Sequence, residues 1–511
     1  MPESGGAAGG KGAGDGNGAE EPTGRPGRFK RFLADLALLR HPKRMWRERR
    51  RFAIGLIAVF VLGLVGIAFA YEVLKRPPDV HNPDAIFKPE KPPPEPKRDR
   101  TVNWPMFGLN PARTRYLPAR GVHPPFRKLW RFTEKPLLEF PPIFVNGTLY
   151  FVNNNGFAYA LDADTGKVLW ERRIGHLNAS SPAYSRHYLY IVNLDPGHLV
   201  KLDAKTGKEI WKRPLPGRAE SSPLVIGRTV YFGCENGELF AVATRSGKTR
   251  WSTQLGGPVK SAPAYSDGSI YVGDYGGYMN KVDARTGRLI WQSGSLGPGF
   301  GASGQFYSTP AVAFGRVYAG NNDGRVYSFD TSDGTLAWSY STGGYVYSGP
   351  TVANTRHSPP TVFIGSFDGN VYALDAKDGS VRWSRSAGGQ VVGSLSAIGE
   401  IVYVSEFNDT TTTGFMMRSG RRVFHYDKGT YTPVISDGHR IFLTGYSSIT
   451  ALEPVTKAQL RRAARRRAAR AKRRAEAKAS VRPSRPHRAA ASAGAAPLPR
   501  RTGNAASEAG P

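Results

Sequence analysis

The 511-residue sequence contains a single cysteine, Cys234, which excludes an internal disulfide framework and any metal site built from cysteines. Its ten histidines are scattered, and His176, His187 and His198 have no metal-ligand spacing. No GxSxG elbow, P-loop or HExxH pair occurs, so the familiar hydrolase, nucleotide and zinc-protease signatures are missing. Acidic residues are scarce too: 40 Asp and Glu face 71 Lys and Arg, for a net charge of +31. That excess is concentrated at the ends. Residues 1–51 carry 12 basic and 6 acidic side chains, and residues 457–511 carry 16 and 2. The basic C-terminal run lacks interleaved aromatic residues, which argues against nucleic acid as its partner.

Long apolar runs are absent but for one, FAIGLIAVFVLGLVGIAFAY at 52–71. Twenty uncharged residues at about 1.5 Å each reach roughly 30 Å, the thickness of a hydrocarbon core. The run is therefore expected to be a transmembrane helix. Seven basic residues in the preceding twenty positions, against four in the following twenty, place the N-terminus in the cytoplasm. Everything after Tyr71 is then extracytoplasmic. Ala68-Phe69-Ala70 resembles a signal-peptide cleavage site, but the basic leader and the apolar core are both too long for one. Residues 1–51 read as a disordered, basic cytoplasmic segment, with 29–39 spaced as a short amphipathic surface helix. Residues 72–102 read as a Pro-rich stalk holding the next domain off the bilayer. The Arg/Ala-rich tail, 457–511, has helix formers but no apolar face. It reads as a solvated tail or as electrostatic attachment to an anionic envelope polymer or lipid.

Between these lies a repeat. Units such as ALDADTGKVLW and KLDAKTGKEIW end at Trp170, Trp211, Trp251, Trp291, Trp338 and Trp383, with a degraded copy ending at Phe424. Four residues before each aromatic stands a glycine: Gly166, Gly207, Gly247, Gly287, Gly334, Gly379 and Gly420. The spacings run from 40 to 47 residues. A second marker, a small residue followed by proline, recurs about ten residues after each tryptophan, as at Ser181-Pro182 and Ser222-Pro223. Each unit reads as a four-stranded meander: alternating aromatic and branched residues form half-buried strands, and the glycine makes a tight turn. The last strand delivers an indole to a seam between sheets. One such sheet cannot cover both its faces, so the units must stack into a closed ring. Counting gives seven full units and an eighth that stops near residue 454. The missing strand is FRKLWRF, where Trp130 stands forty residues before Trp170. The expectation is all-β: an eight-bladed propeller of antiparallel four-stranded blades over 103–456, clasped by its two ends.

The repeat AxDxxTGxxxW resembles that of the pyrroloquinoline quinone (PQQ) repeat family, and the opening NWPMFGLNPARTRY at 103–116 is similar to the entry segment of such propellers. The resemblance implies relatives of two kinds, quinoprotein dehydrogenases and a non-catalytic propeller of outer-membrane barrel assembly. The dehydrogenases hold PQQ with calcium, using carboxylate and amide ligands, a tryptophan platform and usually adjacent cysteines. This chain has no cysteine pair, and every tryptophan but Trp46 and Trp104 occupies a seam position. Neither a catalytic residue nor a cofactor is expected; PQQ with calcium belongs only to the alternative, a membrane-tethered dehydrogenase. A sensor reporting across the membrane ranks third.

Departures from the repeat mark the candidate site. An insertion at 293–308 precedes Trp338 and emerges on the same face as the turns NNDG (321–324) and SFDG (366–369). With Phe300, Phe306, Tyr307, Tyr345 and Tyr347 it should form an aromatic binding lip over the central opening. A second departure, EFNDTTTTGF, lies at 406–415. Protein partners are expected on these loops or on blade edges, and the whole reads as a non-enzymatic, membrane-anchored scaffold with a role in cell-envelope assembly.

Overall fold

The computed structural model describes residues 50–74, 77–97, 101–298 and 303–480. Its eight sheets are the blades, antiparallel but for the two-residue strand Tyr116–Leu117, which adds in parallel to Ser396–Ile398, and they are numbered here from the one that begins at Ile143–Val145 and ends at Val168–Arg173. Blade 8 joins Phe126–Thr133 to the C-terminal strands Ile435–Ser436, Ile441–Gly445 and Ser448–Pro454. Trp130 lies opposite Ala451 in that blade as Trp170 lies opposite Ala160 in blade 1, each beside a one-residue slip in register. The ring closes as its spacing predicts.

The two sequence markers have distinct mechanical tasks. The indole of each seam tryptophan donates to a carbonyl in the next blade's turn: Trp170 Nε1 to Ala204 at 2.9 Å, Trp251 to Ala284 at 3.2 Å, Trp383 to Met417 at 2.8 Å. The ring packs on the turn glycine so closely that a Cβ on Gly166 would lie 2.6 Å from Trp130. Gly166 also has φ +72°, so both contact and backbone demand glycine there. The serines around the proline marker form a hydrogen-bonded girdle about the axis. Ser221 Oγ donates to Ser261 O, Ser261 Oγ to Ser308 O, and Ser308 Oγ to Ser348 O, at 2.9, 3.1 and 2.9 Å.

Two flanking expectations change. The Pro-rich segment does not stand off the propeller. Residues 77–97 run down the outer edge of blade 5 and cross beneath it: Asn82 N donates to Ala337 O at 2.8 Å, Ser339 N to Val80 O at 2.9 Å, and Lys88 N to Phe314 O at 2.9 Å. Polyproline backbone leaves its carbonyls unpaired, and a sheet edge supplies the missing donors. Arg325, itself buried, donates to the carbonyls of Pro77 and Pro78.

The expected span falls within helix α1, Arg50–Leu74. Among the described residues, however, no helix is long and apolar enough to cross a membrane. The basic tail begins as a second helix, α2, Lys457–Ser480, whose side chains over 460–477 are exposed all round. The predicted surface helix at 29–39 lies outside the described residues.

Candidate functional site: the axial channel and its rim

The axis of the ring has a closed end and an open one. The closed end is built by the entry segment. Its carbonyls accept from the innermost strands in turn: Trp104 from Phe144 N, Pro105 from Tyr184 N, Pro111 from Tyr265 N, Ala112 from Val312 N, Thr114 from Val352 N and Arg115 from Ala397 N, all at 2.8–3.0 Å. Val102 N donates to Asp437 O in blade 8, and Arg113 Nη2 reaches Ser222 O and Pro223 O in blade 3. One short segment thereby ties all eight blades together.

Arg113 and Arg115 are fully buried on the axis, each with a left-handed backbone at φ 57° and 56°. Among the described residues no carboxylate pairs with either guanidinium. Arg113 Nε donates to Pro263 O at 3.0 Å, and its Nη1 to Phe107 O. Arg115 Nη1 donates to Pro350 O and Arg113 O, both at 2.8 Å. Their guanidinium carbons lie 5.9 and 5.2 Å from the centre of the Phe107 ring, one of the few groups that can face a cation without a charge of its own. Burial lowers both guanidinium pKa values to about 9, yet leaves them charged at neutral pH. The proline-marker carbonyls converge here because the girdle points them at the axis, and only a multi-donor cation can serve so many acceptors at once.

Above Phe107 a pocket of about 80 Å³ opens toward the other face. Its wall is the repeat position three residues before each marker proline: Glu139, Glu220, Lys260, Tyr307 and Tyr347. Lys260 Nζ lies 2.6 Å from Glu220 and 3.2 Å from Glu235; burial works against its charge, but the two carboxylates outweigh it and raise its pKa. Burial, and then Glu220, raises Glu139 above the usual carboxylate range. Burial likewise raises the phenols of Tyr307 and Tyr347, so they remain neutral. This ring was legible as a register in the repeat. Its tyrosines belong to the expected lip, whereas Glu139, Glu220 and Lys260 were not anticipated, because they hold a position of the repeat that varies from blade to blade.

The predicted lip divides. Tyr307 and Tyr347 face the pocket, their rings 5.7 Å apart, and Tyr345, 53% exposed, continues the row at 5.8 Å from Tyr347. Phe306 does not join them. Alternation along an extended chain turns it into the core, against Tyr327 at 5.4 Å and Phe329 at 6.1 Å. Phe300 lies outside the described residues. Residues 406–411 are loop as expected, but 412–415 belong to the third strand of blade 7. Phe407, at 4.9 Å from Tyr431, and Tyr446 add exposed rings on blades 7 and 8. The rim is held firmly: Phe367 N donates to Tyr345 O at 2.8 Å, Tyr275 N to Pro258 O at 3.0 Å and Phe407 N to Gln390 O at 2.9 Å.

The channel does not fit a quinone with calcium. A tricyclic quinone needs a pocket of roughly 300 Å³ or more, and the space above Phe107 is about 80 Å³. Cys234 is buried and alone, with burial pushing its thiol pKa up. Among the described residues no group of three or more His, Cys, Asp or Glu could hold a metal ion. Trp104 is not a free platform either, being buried and bridged to Phe144.

Among solved structures, BamB from Moraxella catarrhalis superimposes with a TM-score of 0.55 at 18% identity, covering 64% of this chain and 99% of that one. A quinohemoprotein alcohol dehydrogenase, ADHIIG from Pseudomonas putida HK5, gives 0.61 at 14% identity, covering 70% and 81%. At such identities the likeness is one of fold, and it reaches non-enzymatic and enzymatic relatives alike. Tetrathionate hydrolase of Acidithiobacillus ferrooxidans is 32% identical over 83 residues, 14% of this chain, which spans only 17% of that relative's length. The sequence itself matches the family of the outer membrane protein assembly factor BamB over residues 126–263 and 254–461, more than half its length, so the chain belongs to this PQQ-like repeat propeller family.

Proposed function

We propose that this propeller is a membrane-anchored, extracytoplasmic scaffold that binds protein partners at the open rim of its channel and performs no catalysis, with its role in assembly of the cell envelope. The observation that carries the reading is the contrast along the axis. The closed end is committed to buried hydrogen bonds, while the open end displays Tyr345, Phe407 and Tyr446, 53, 38 and 55% exposed, on a rim too well pinned to collapse. Exposed aromatic rings on a rigid frame are the usual anchors of protein interfaces, because little side-chain entropy is lost on docking. Membership of a family described by an envelope assembly factor agrees with this.

Helix α1 serves as the anchor. Its exposed Ile54, Ile57, Val59, Phe60, Leu62 and Leu64 lie all round the helix, a pattern that suits lipid. The exposed Arg and Lys of α2 add charge-driven attachment to an anionic polymer or lipid surface.

Photo-crosslinking in the native envelope tests the scaffold reading. A crosslinker at Tyr345 should trap envelope proteins, whereas one at Lys205, on a turn at the opposite face, should not. Equal yields from both positions, or dye reduction that depends on added PQQ and calcium, would overturn it. Anchoring predicts that the protein stays in the pellet after alkaline carbonate extraction and is released when residues 52–71 are deleted.

A further inference from the structure

Seven of the eight seams are filled alike, and the eighth is not. At each of the seven a blade's indole rests against the glycine of the next blade's third-to-fourth-strand turn, from Trp130 on Gly166 to Trp383 on Gly420. Basic side chains of the same outer strands then cap that turn: Arg172 Nε donates to Gly207 O, Arg213 Nη1 to Gly247 O and Arg385 Nη2 to Ser419 O, at 3.2, 2.8 and 3.3 Å. Between blades 7 and 8 this turn cannot exist. Blade 8 draws its third strand from the C-terminal end of the ring and its fourth from Phe126–Thr133, so no turn joins them.

In place of an indole stands Phe424, tilted edge-on to Phe126 at 5.4 Å and to Tyr403 at 5.7 Å. The absent turn leaves an open groove of about 760 Å³ lined by Pro125, Phe126, Val423, Phe424 and Tyr426. At the seam of blades 1 and 2, where turn and indole are both present, the corresponding hollow beside Trp170 is about 350 Å³. Lys128, Arg421 and Arg422 ring the larger groove with exposed side chains, and none of the three is ion-paired among the described residues. No residue of α2 lines it, although α2 begins close by, after Val455 N donates to Pro125 O at 2.8 Å.

We propose that this incomplete seam is a docking site for a glycine-tipped, acidic β-turn of a partner protein, which would occupy the place that the AxDxxTG turn fills at the other seven. The shape follows from what the other seams hold, and the acidic character from the three unpaired cations at the groove's edge. The chain's own seven turns of this kind are all engaged in the ring, so among the described residues none is left to fill the eighth seam, and a partner's turn is the occupant proposed.

The probe is a cyclised hairpin with the sequence of residues 157–173, the element whose turn fills the seam against Trp130. Titrated onto the full chain, it should bind saturably. Charge reversal by Arg421→Glu with Arg422→Glu should weaken it at least tenfold; both residues are exposed, so the fold is retained. Phe424→Trp, which restores the indole and its N–H donor, should tighten binding severalfold. A hairpin carrying Gly166→Val should lose binding, because its side chain would meet the aromatic ring. No saturable binding, or binding indifferent to the charge reversal and to Gly166→Val, would overturn the proposal. Dimerisation of the chain abolished by the same charge reversal would also overturn it, by naming a second copy as the occupant. The rim crosslinks predicted above do not depend on either result.

Discussion

The two ends of the axial channel are built from the same repeat, yet they solve opposite problems. At the closed end, variation between blades is suppressed: eight sets of backbone groups are gathered by one segment, and two unpaired cations are tolerated because carbonyls surround them. At the open end, the position three residues before the marker proline changes from blade to blade, through Glu139, Glu220, Lys260, Tyr307 and Tyr347. A propeller can therefore keep its ring while altering its mouth, because the mouth side chains bear little of the inter-blade packing. The proposed binding rim thus lies where the ring depends least on sequence.

That contrast can be broken most sharply at the closed end. Arg113→Met removes the donors for at least four carbonyls in a buried site and should cost about 3–5 kcal/mol, read from urea unfolding. Trp338→Ala, at a seam tryptophan with no exposure, should cost a similar or slightly smaller amount, about 3–5 kcal/mol. If either variant unfolded at the wild-type midpoint, the account of the ring would fail. At the open end, Tyr345→Ser with Phe407→Ser should change stability by no more than about 0.5 kcal/mol each while reducing partner crosslinking.

The smallest effect expected is electrostatic. The native carboxyl of Glu139 is held above its ordinary pKa, first by burial and then by Glu220, so the folded state binds its proton more tightly than the unfolded chain does. This contribution lowers stability as pH rises from the unfolded value through the raised native one. Glu139→Gln should flatten the part of a Tm-against-pH curve that lies above the ordinary carboxylate pKa. A curve with unchanged slope would show that Glu139 is solvated and outside the channel wall. The turn aspartates have the opposite sign. Asp283, lowered by the Thr286 hydroxyl, favours the fold above its unfolded pKa and loses that contribution as pH falls.

Much of the ring was legible because its physics is local and periodic. A turn that demands a positive φ and an indole four residues later recur in six units, with phenylalanine in the seventh, and a β-sheet with two apolar faces has nowhere to go but beside another. The missing strand of blade 8 could be found by counting. The lip was only partly legible. Tyr307, Tyr345 and Tyr347 reach the open face, but adjacent Phe306 enters the core, since neighbouring residues on an extended chain face opposite ways. The segment 77–97 misled because proline-rich composition reports backbone stiffness and says nothing of what the backbone lies against.

The sequence by itself determined the number of blades, their stacking by tryptophan and glycine, and the closure of the ring by its two ends, since each follows from a pattern repeated about every forty residues. The tertiary structure alone decided that Arg113 and Arg115 converge on the axis, that residues 77–97 bind the edge of blade 5, and that one seam stays open. These depend on groups far apart in the chain meeting only once. A feature that occurs once, between distant residues, leaves no period to read.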